Sequence, residues 1–382
     1  MKRKVCVITG SRAEYGILAP VMRAIQSSKR FRLSVVVTGM HLMPEFGYTI
    51  KEIQRDGFSI DAKIDMSHTQ DEGKAMAEAV GRGVSKLAGC FDKLRPDLVL
   101  TVGDRGEVLA AAVVANYMNI PFAHIHGGEV SGHVDGIVRH AITKLAHIHF
   151  PATPKARERI LKLGEEPWRV IVAGAPSLDR ILRNHMTSKQ TLLKKYSIDP
   201  NQPLGLLVQH PVHTQMREAG EQIQTTLQAI VDLKLQTLVV YPNADAGGRA
   251  MIKVLERFKK HPFLKYYKSI PHADYLGFLK IATVLIGNSS SGIIEAASFH
   301  LPAINIGCRQ EGRERTVNVI DVPHETKIIA RIIQKIIHDQ KFQRRIRQCR
   351  NPYGDGHASQ RIVNFLRQMN LNNRLLQKRI TY

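Results

Sequence analysis

The sequence predicts an α/β protein made of two doubly wound parallel sheets that face each other across a cleft. Three observations point there. Short, continuously apolar, β-branched runs alternate with helical stretches, the pattern of parallel strands covered on both faces. Gly or Pro stands at many junctions, among them Gly39, Pro96, Gly103, Pro121, Gly287 and Pro302. The rhythm breaks once, after Gly174-Ala175-Pro176, where polar residues run from 183 to 202 before a second strand series begins. Domains over 1–175 and 176–356 follow from that break.

The run 5–9 is β-branched and ends in the turn-forming Gly10, and the helical pattern 17–26 follows it. Strand 33–38 is stopped by Gly39, and strand 98–102 sits between Pro96 and Gly103. An alanine- and valine-rich helix spans 105–118 and ends before Pro121, which opens strand 122–125. The last strand of this half is 170–173, ended by Gly174. The second half reads as strands 204–209, 237–241, 283–286 and 303–306, with a helix over 328–338. In open α/β sheets ligands bind beyond the carboxyl ends of the strands, so the cleft between two such sheets is the expected site.

Composition narrows the class. Of 382 residues 43% are apolar and 23% charged, which excludes disordered, collagenous and coiled-coil chains. The net charge of +22 favours an anionic ligand or partner. Half of that excess lies in 327–382, where 13 Lys and Arg face only Asp339 and Asp355. A solvated helical face or a polyanion contact would each explain it. No zinc-finger or RNA-binding signature accompanies the charge, so nucleic acid is not an expected partner. No apolar run is long enough to span a membrane. The apolar run 5–8 is too short for a secretory leader, and Cys6, Cys90, Cys308 and Cys349 are widely spaced. A reducing cytoplasm is therefore expected, without a disulfide framework or zinc ribbon.

The chemistry-bearing motifs sit at strand ends. Gly10-Ser11-Arg12-Ala13-Glu14-Tyr15-Gly16 follows the first strand and opens a helix, but it is not the dinucleotide fingerprint. Arg12 there could meet a phosphate or be a surface turn residue. Asp104 in Gly103-Asp104-Arg105 is placed either for acid–base work or as a helix N-cap. In His124-Ile125-His126-Gly127-Gly128-Glu129, strand alternation would put both histidines on one face. They could form a metal pair, the basis of a zinc-hydrolase reading, or supply acid–base groups. Asp135 and Arg139 are four apart on a helix, so they share a face and could simply form a salt bridge. His210-Pro211, Asn243 and Gly287-Asn288-Ser289-Ser290-Ser291-Gly292 end strands of the second half. Hydroxyls and free amides at a helix start, with Arg309 and Arg313 after the next strand, would suit a phosphate. The sequence lacks the ATPase P-loop spacing.

Taken together these motifs resemble the hydrolysing UDP-N-acetylglucosamine 2-epimerases of sialic acid and related nonulosonic acid synthesis. The resemblance runs from residue 4 to about 360 and rests on GSRAEYG, TGMHL, GDR, HIHGGE, RHAITKLAH, QHP, NADAGG, GNSSSGIIEA, INIGCRQEGR and NPYGDG. It also extends to the epimerase half of the vertebrate bifunctional epimerase/kinase. The resemblance implies a glycosyltransferase-B-like pair of Rossmann-like domains, with a final helix (357–382) packed on the first. It implies no cofactor or metal, a UDP-sugar substrate and a homo-oligomeric dimer or tetramer.

By the same resemblance, Ser289 and Ser290 bind the diphosphate, Glu295 the ribose and the stretch at Ile270 the uracil. Arg309 and Arg313 add positive charge, while Arg12, Arg105, Arg139, His210 and Asn243 line the diphosphate–sugar region. Asp104 and Asp135 match acidic positions tied to catalysis. Where some relatives carry a catalytic Glu this chain has His126, so Glu129 enters as a partner in the proton transfers. The implied reaction is elimination of UDP to a 2-acetamidoglucal and hydration to N-acetylmannosamine, a hydrolysis at an O-glycosyl bond. UDP-N,N′-diacetylbacillosamine, which leads to legionaminic acid, is the alternative substrate. A non-catalytic polyanion-binding protein is the remaining alternative class.

Overall fold

The computed structural model describes residues 2–67, 72–130, 134–182 and 186–382, without the side chains of Val134 and Asp135. The chain divides into two compact units. The first comprises 1–129, 134–183 and 353–382; the second comprises 130–133 and 184–352.

The N-terminal unit holds a six-stranded parallel sheet of β1 (Arg3–Thr9), β2 (Phe31–Thr38), β3 (Ala62–Ile64), β4 (Leu98–Val102), β5 (Phe122–Ile125) and β6 (Ile148–Phe150). Its order is β3-β2-β1-β4-β5-β6, and the reversal of direction between β1 and β4 is the doubly wound switch point. One core, including Val5, Val7, Val35, Leu100 and Ile125, lies under helix Arg12–Gln26 and the returning helix Ala358–Gln368. Asp179 anchors the return by accepting from the main-chain N–H groups of Ala358 and Ser359 at 2.9 and 2.7 Å. The opposite face packs against Gly73–Leu94 and Gly106–Tyr117.

The expected strand 170–173 lies beside β6 without becoming a regular strand. Val170 bridges His149 in parallel, and the N–H groups of Ile171 and Ala173 donate to the His149 and Pro151 carbonyls at 3.0 Å each, before Gly174 turns the chain away at φ +87°.

The second unit repeats the plan with β7 (Leu204–Val208), β8 (Gln236–Val240), β9 (Leu264–Tyr267), β10 (Val284–Gly287), β11 (Ala303–Ile306) and β12 (Val319–Val322). The order β12-β11-β10-β7-β8-β9 is the same winding, with its switch point between β7 and β10. Its core is rich in isoleucine from helix Thr326–His338, whose Ile329, Ile333 and Ile336 are fully buried.

The basic carboxyl segment is divided between the units. Lys327 through Arg350 lie on the second, while Arg361 through Arg379 lie on the first. Several of these cations are internally held: Arg361 makes two bonds to Asp355, at 2.8 and 2.7 Å, and Lys378 bonds Glu165 and two main-chain carbonyls. No helix among the described residues is long and apolar enough to cross a membrane.

Candidate active site

In the N-terminal unit the singled-out residues gather at the carboxyl ends of β1, β4 and β5. Gly103 leaves β4 at φ +87°, a backbone state that favours glycine, and hands the chain to Asp104. Asp104 is not the helix cap. Arg105 occupies that position, and the Asp104 carboxylate instead accepts from the Arg139 guanidinium. Arg139 is 1% exposed and donates at the same time to the main-chain oxygen of Glu129 at 2.9 Å. A buried guanidinium needs such partners, because an unpaired charge there would be costly. Arg139 therefore ties Asp104, on the β4 loop, to the loop that follows β5.

That loop corrects the expected histidine pair. Strand alternation ends at Ile125, and His126 stands in left-handed backbone at φ +64°. His124 is fully buried and faces the Gly103 carbonyl at 2.6 Å through Nε2, with Nδ1 3.4 Å from Thr143 Oγ1. Both its nitrogens are engaged, and burial pushes its pKa down to about 3. His126 turns elsewhere, and its Nδ1 lies 2.6 Å from Glu129 Oε1, with both residues buried. A carboxylate on Nδ1 selects the tautomer with the proton there, leaving a lone pair on Nε2. That Nε2 is buried and has no hydrogen-bond partner among the described residues. The arrangement is an oriented imidazole base of the kind found in acid–base catalysis. Among the described residues no three His, Cys, Asp or Glu side chains are grouped to hold a metal ion.

Arg12 begins helix Arg12–Gln26, which is capped by Ser11 accepting from Glu14 N–H. Arg105 Nε lies 3.4 Å from Glu107 Oε2. Asp135 is in the first turn of helix Val134–Leu145, and its side chain, with the expected pairing to Arg139, lies outside the described residues.

In the second unit the corresponding loops follow β7, β8, β10 and β11, and Asn288 is their hub. This residue is 1% exposed. Its side-chain oxygen accepts from His210 N–H at 2.7 Å, and its amide donates to the His210 carbonyl at 2.8 Å. Its own carbonyl accepts from Gln310 Nε2 at 2.8 Å and from Arg309 at 3.3 Å. The main-chain N–H of Asn243 donates to His210 Nδ1 at 3.1 Å, which in the neutral ring leaves the proton on Nε2. His210, Asn243, Arg309 and the Ser289-Ser290 loop are thus joined through Asn288. Gly287, at φ +122°, starts this loop, and a Cβ there would collide with the Val208 carbonyl.

The helix expected after Ser290 is a single turn, Ser291–Ile294, with Glu295 as its buried C-cap rather than a residue within it. So short a helix brings little dipole to an anion. Positive charge reaches this loop from Arg309, which donates to the Asn288 carbonyl. Ile270 is fully buried in the loop after β9, so it would offer a ligand its main chain rather than its side chain.

Sequence reasoning passed over Asn288 and Gln310, and also Glu14 and Glu107. All four stand inside or beside quoted motifs, but their importance lies in long-range partners that spacing does not reveal.

The family model described as UDP-N-acetylglucosamine 2-epimerase matches residues 23–367. The UDP-N,N′-diacetylbacillosamine 2-epimerase (hydrolyzing) of Legionella pneumophila is 38% identical over 99% of each chain. A UDP-N-acetylglucosamine 2-epimerase of Neisseria meningitidis serogroup B is 33% identical over 90% of this chain and 89% of its own. Among solved structures, a Neisseria meningitidis UDP-GlcNAc 2-epimerase bound to UDP-GlcNAc superposes with a TM-score of 0.81 at 20% identity. It covers 96% of this chain and 100% of its own, and it shares the fold.

Proposed function

The chain belongs to the UDP-N-acetylglucosamine 2-epimerase family, and we propose that it hydrolyses UDP-N,N′-diacetylbacillosamine with inversion at C2. The products are UDP and 2,4-diacetamido-2,4,6-trideoxymannose, the precursor class for legionaminic acid. The observation that carries the choice of sugar is the 38% identity to the Legionella enzyme of that name over nearly the whole of both chains. UDP-N-acetylglucosamine is the second reading, favoured by the Neisseria relative.

The C2 hydrogen of the hexose has no carbonyl beside it and is far too weak an acid for any side chain to remove directly. Cleavage of the anomeric C1–O bond changes that. UDP leaves with the electron pair, C1 becomes cationic and the neighbouring C2 proton becomes labile. The leaving diphosphate needs positive charge and donors, the role proposed for Arg309, Arg313, His210 Nε2–H and the Ser289-Ser290 loop. Each well-aimed donor contributes about 3 kcal/mol to such a step. Proton loss from C2 closes the C1=C2 bond of a glucal. Water then adds its hydroxyl to C1 while a proton reaches C2 from the opposite face.

Two oriented groups are available for these transfers. His126 Nε2 carries a bare lone pair and Glu129 stabilises the imidazolium that forms. Asp104 is held in place by Arg139. Asp135 is a third candidate from the resemblance. Oriented acid–base groups of this kind contribute about 10²–10⁴ in rate.

The test runs the reaction in D2O with each sugar nucleotide. The reading expects deuterium at C2 of the released aminosugar, and a kcat/KM higher for the diacetylbacillosamine nucleotide. Retention of the original C2 hydrogen would eliminate the glucal route, and a preference for UDP-N-acetylglucosamine would overturn the choice of sugar.

A further inference from the structure

Two buried carboxyl groups of the N-terminal unit have no part in the chemistry above. Glu14 lies on helix Arg12–Gln26 and Glu107 on helix Gly106–Tyr117, and each is 7% exposed. They meet across a single residue, Gly10. Glu14 Oε2 accepts from Gly10 N–H at 2.7 Å. From the other side the Glu107 carboxyl lies so close that a Cβ on Gly10 would sit 2.8 Å from its Oε1. Gly39, at φ +55°, makes the second wall, and a Cβ there would also run into Glu107 Oε1. Two separate motifs, one after β1 and one after β2, thus place a glycine where this carboxyl needs room. Glu107 Oε2 faces Arg105 Nε at 3.4 Å, whereas Glu14 Oε1 is buried without a hydrogen-bond partner among the described residues.

Two ionised carboxylates packed around one glycine repel each other, and a bare buried carboxylate oxygen is costly. A single proton between them removes both problems. We propose that Glu14 and Glu107 are a proton-sharing positioning pair. In it Glu14 Oε1–H donates to the Glu107 carboxylate, fixing the loops that present Arg12 and Arg105 to the diphosphate–sugar. The inference rests on the proposed role of those two arginines.

Burial, and then the nearby Glu107 charge, push the Glu14 pKa up to about 7, in keeping with a shared proton. The groups facing Glu14 are Glu107 and Arg105 from the β4 side and the main chain of Gly10 and Ser11 on its own loop. On the β2 side His41 stays neutral, because burial pushes its pKa down to about 3. Loss of the shared proton would leave two negative charges beside Arg105 and draw the guanidinium inward, away from substrate.

The experiment is the pH profile of kcat/KM for the intact enzyme and for Glu14→Gln and Glu107→Gln. Infrared difference spectra of the protonated carboxyl stretch accompany it. The wild type should lose kcat/KM on an alkaline limb near pH 7. Glu14→Gln keeps a neutral donor, so it should stay within about threefold of the wild type at pH 6.5 and lose that limb. Glu107→Gln removes the charge that faces Arg105, and KM should rise about tenfold or more with a smaller change in kcat. In the spectra, a carboxyl signal titrating near pH 7 should be present in the wild type and absent from Glu14→Gln.

An unchanged alkaline limb in Glu14→Gln would overturn the proposal, as would the absence of a titrating carboxyl signal from the wild type. If neither sugar nucleotide releases UDP, the functional reading fails, while the infrared measurement still decides whether the proton is shared.

Discussion

Replacing Asp104 with Asn separates catalysis from architecture at the pair on which the N-terminal half-site turns. Arg139 is 1% exposed and its guanidinium donates to the Asp104 carboxylate, so Asp104→Asn removes a negative charge beside a buried cation. Breaking a fully buried pair costs about 3–5 kcal/mol. Here the Asp104 side chain is 17% exposed, and an amide oxygen would still accept from Arg139, which brings the cost to about 2 kcal/mol. For a unit of this size that is a fall in Tm of about 4–8 °C. Loss of an oriented proton-transfer group should cost far more in rate, about 10²–10⁴. The two effects are read separately, the first by thermal unfolding followed by circular dichroism, the second by UDP release and C2 deuterium incorporation at 25 °C on folded enzyme. A variant that shows the stability loss but keeps more than a tenth of wild-type turnover would refute the catalytic role. Asp104 would then be only the anchor of Arg139.

Two further outcomes follow from the buried polar groups. Asn288→Ala strands the main-chain N–H and carbonyl of His210, each costing about 1–3 kcal/mol, and unties the Ser289-Ser290 loop. UDP should then inhibit at least tenfold more weakly (an estimate of order 1.4 kcal/mol), and unchanged UDP inhibition would show that the hub does not organise the nucleotide site. His41 and His124 have pKa values pushed far below 6.5 by burial, so stability is complete above that pH and falls as the pH drops toward their folded values. At pH 5 each should cost about 2 kcal/mol relative to pH 7, and an equal Tm at the two pH values would contradict their buried neutral state.

How far the sequence could be read depends on where a residue sits in the sheets. The central strands β1, β2, β4, β5, β7, β8, β10 and β11 are buried on both faces and announce themselves as apolar, β-branched runs. The strands not anticipated, β3, β6, β9 and β12, are all sheet edges. An edge strand is shorter and mixes in polar residues, as Leu264–Tyr267 and Val319–Val322 do with their largely half-exposed pattern. The run 170–173 is an intermediate case: the N–H groups of Ile171 and Ala173 donate to the carbonyls of His149 and Pro151, yet a regular bridge forms only at Val170. In the candidate site, the quoted motifs fall on loops at strand ends, but the orientation within those loops was not legible. Strand alternation gave no warning that His126 would take a left-handed backbone and turn from His124 toward Glu129.

That turn bears directly on how the chemistry can be divided. A histidine on β5 in register with His124 would share the buried environment that holds His124 neutral against the Gly103 carbonyl. By leaving the strand at φ +64°, His126 gains a carboxylate on Nδ1 while its Nε2 stays uncommitted. The loop that makes this possible is held from below by Arg139, which bonds the Glu129 main chain with one nitrogen and Asp104 with the other. The two groups proposed for proton transfer are therefore set by one guanidinium and cannot be displaced independently. An enzyme that must remove a proton from one face of a carbon and return it on the other needs its two groups at fixed separation. A rigid buried arginine shared between their supports provides that constraint, whereas two separately solvated side chains would not.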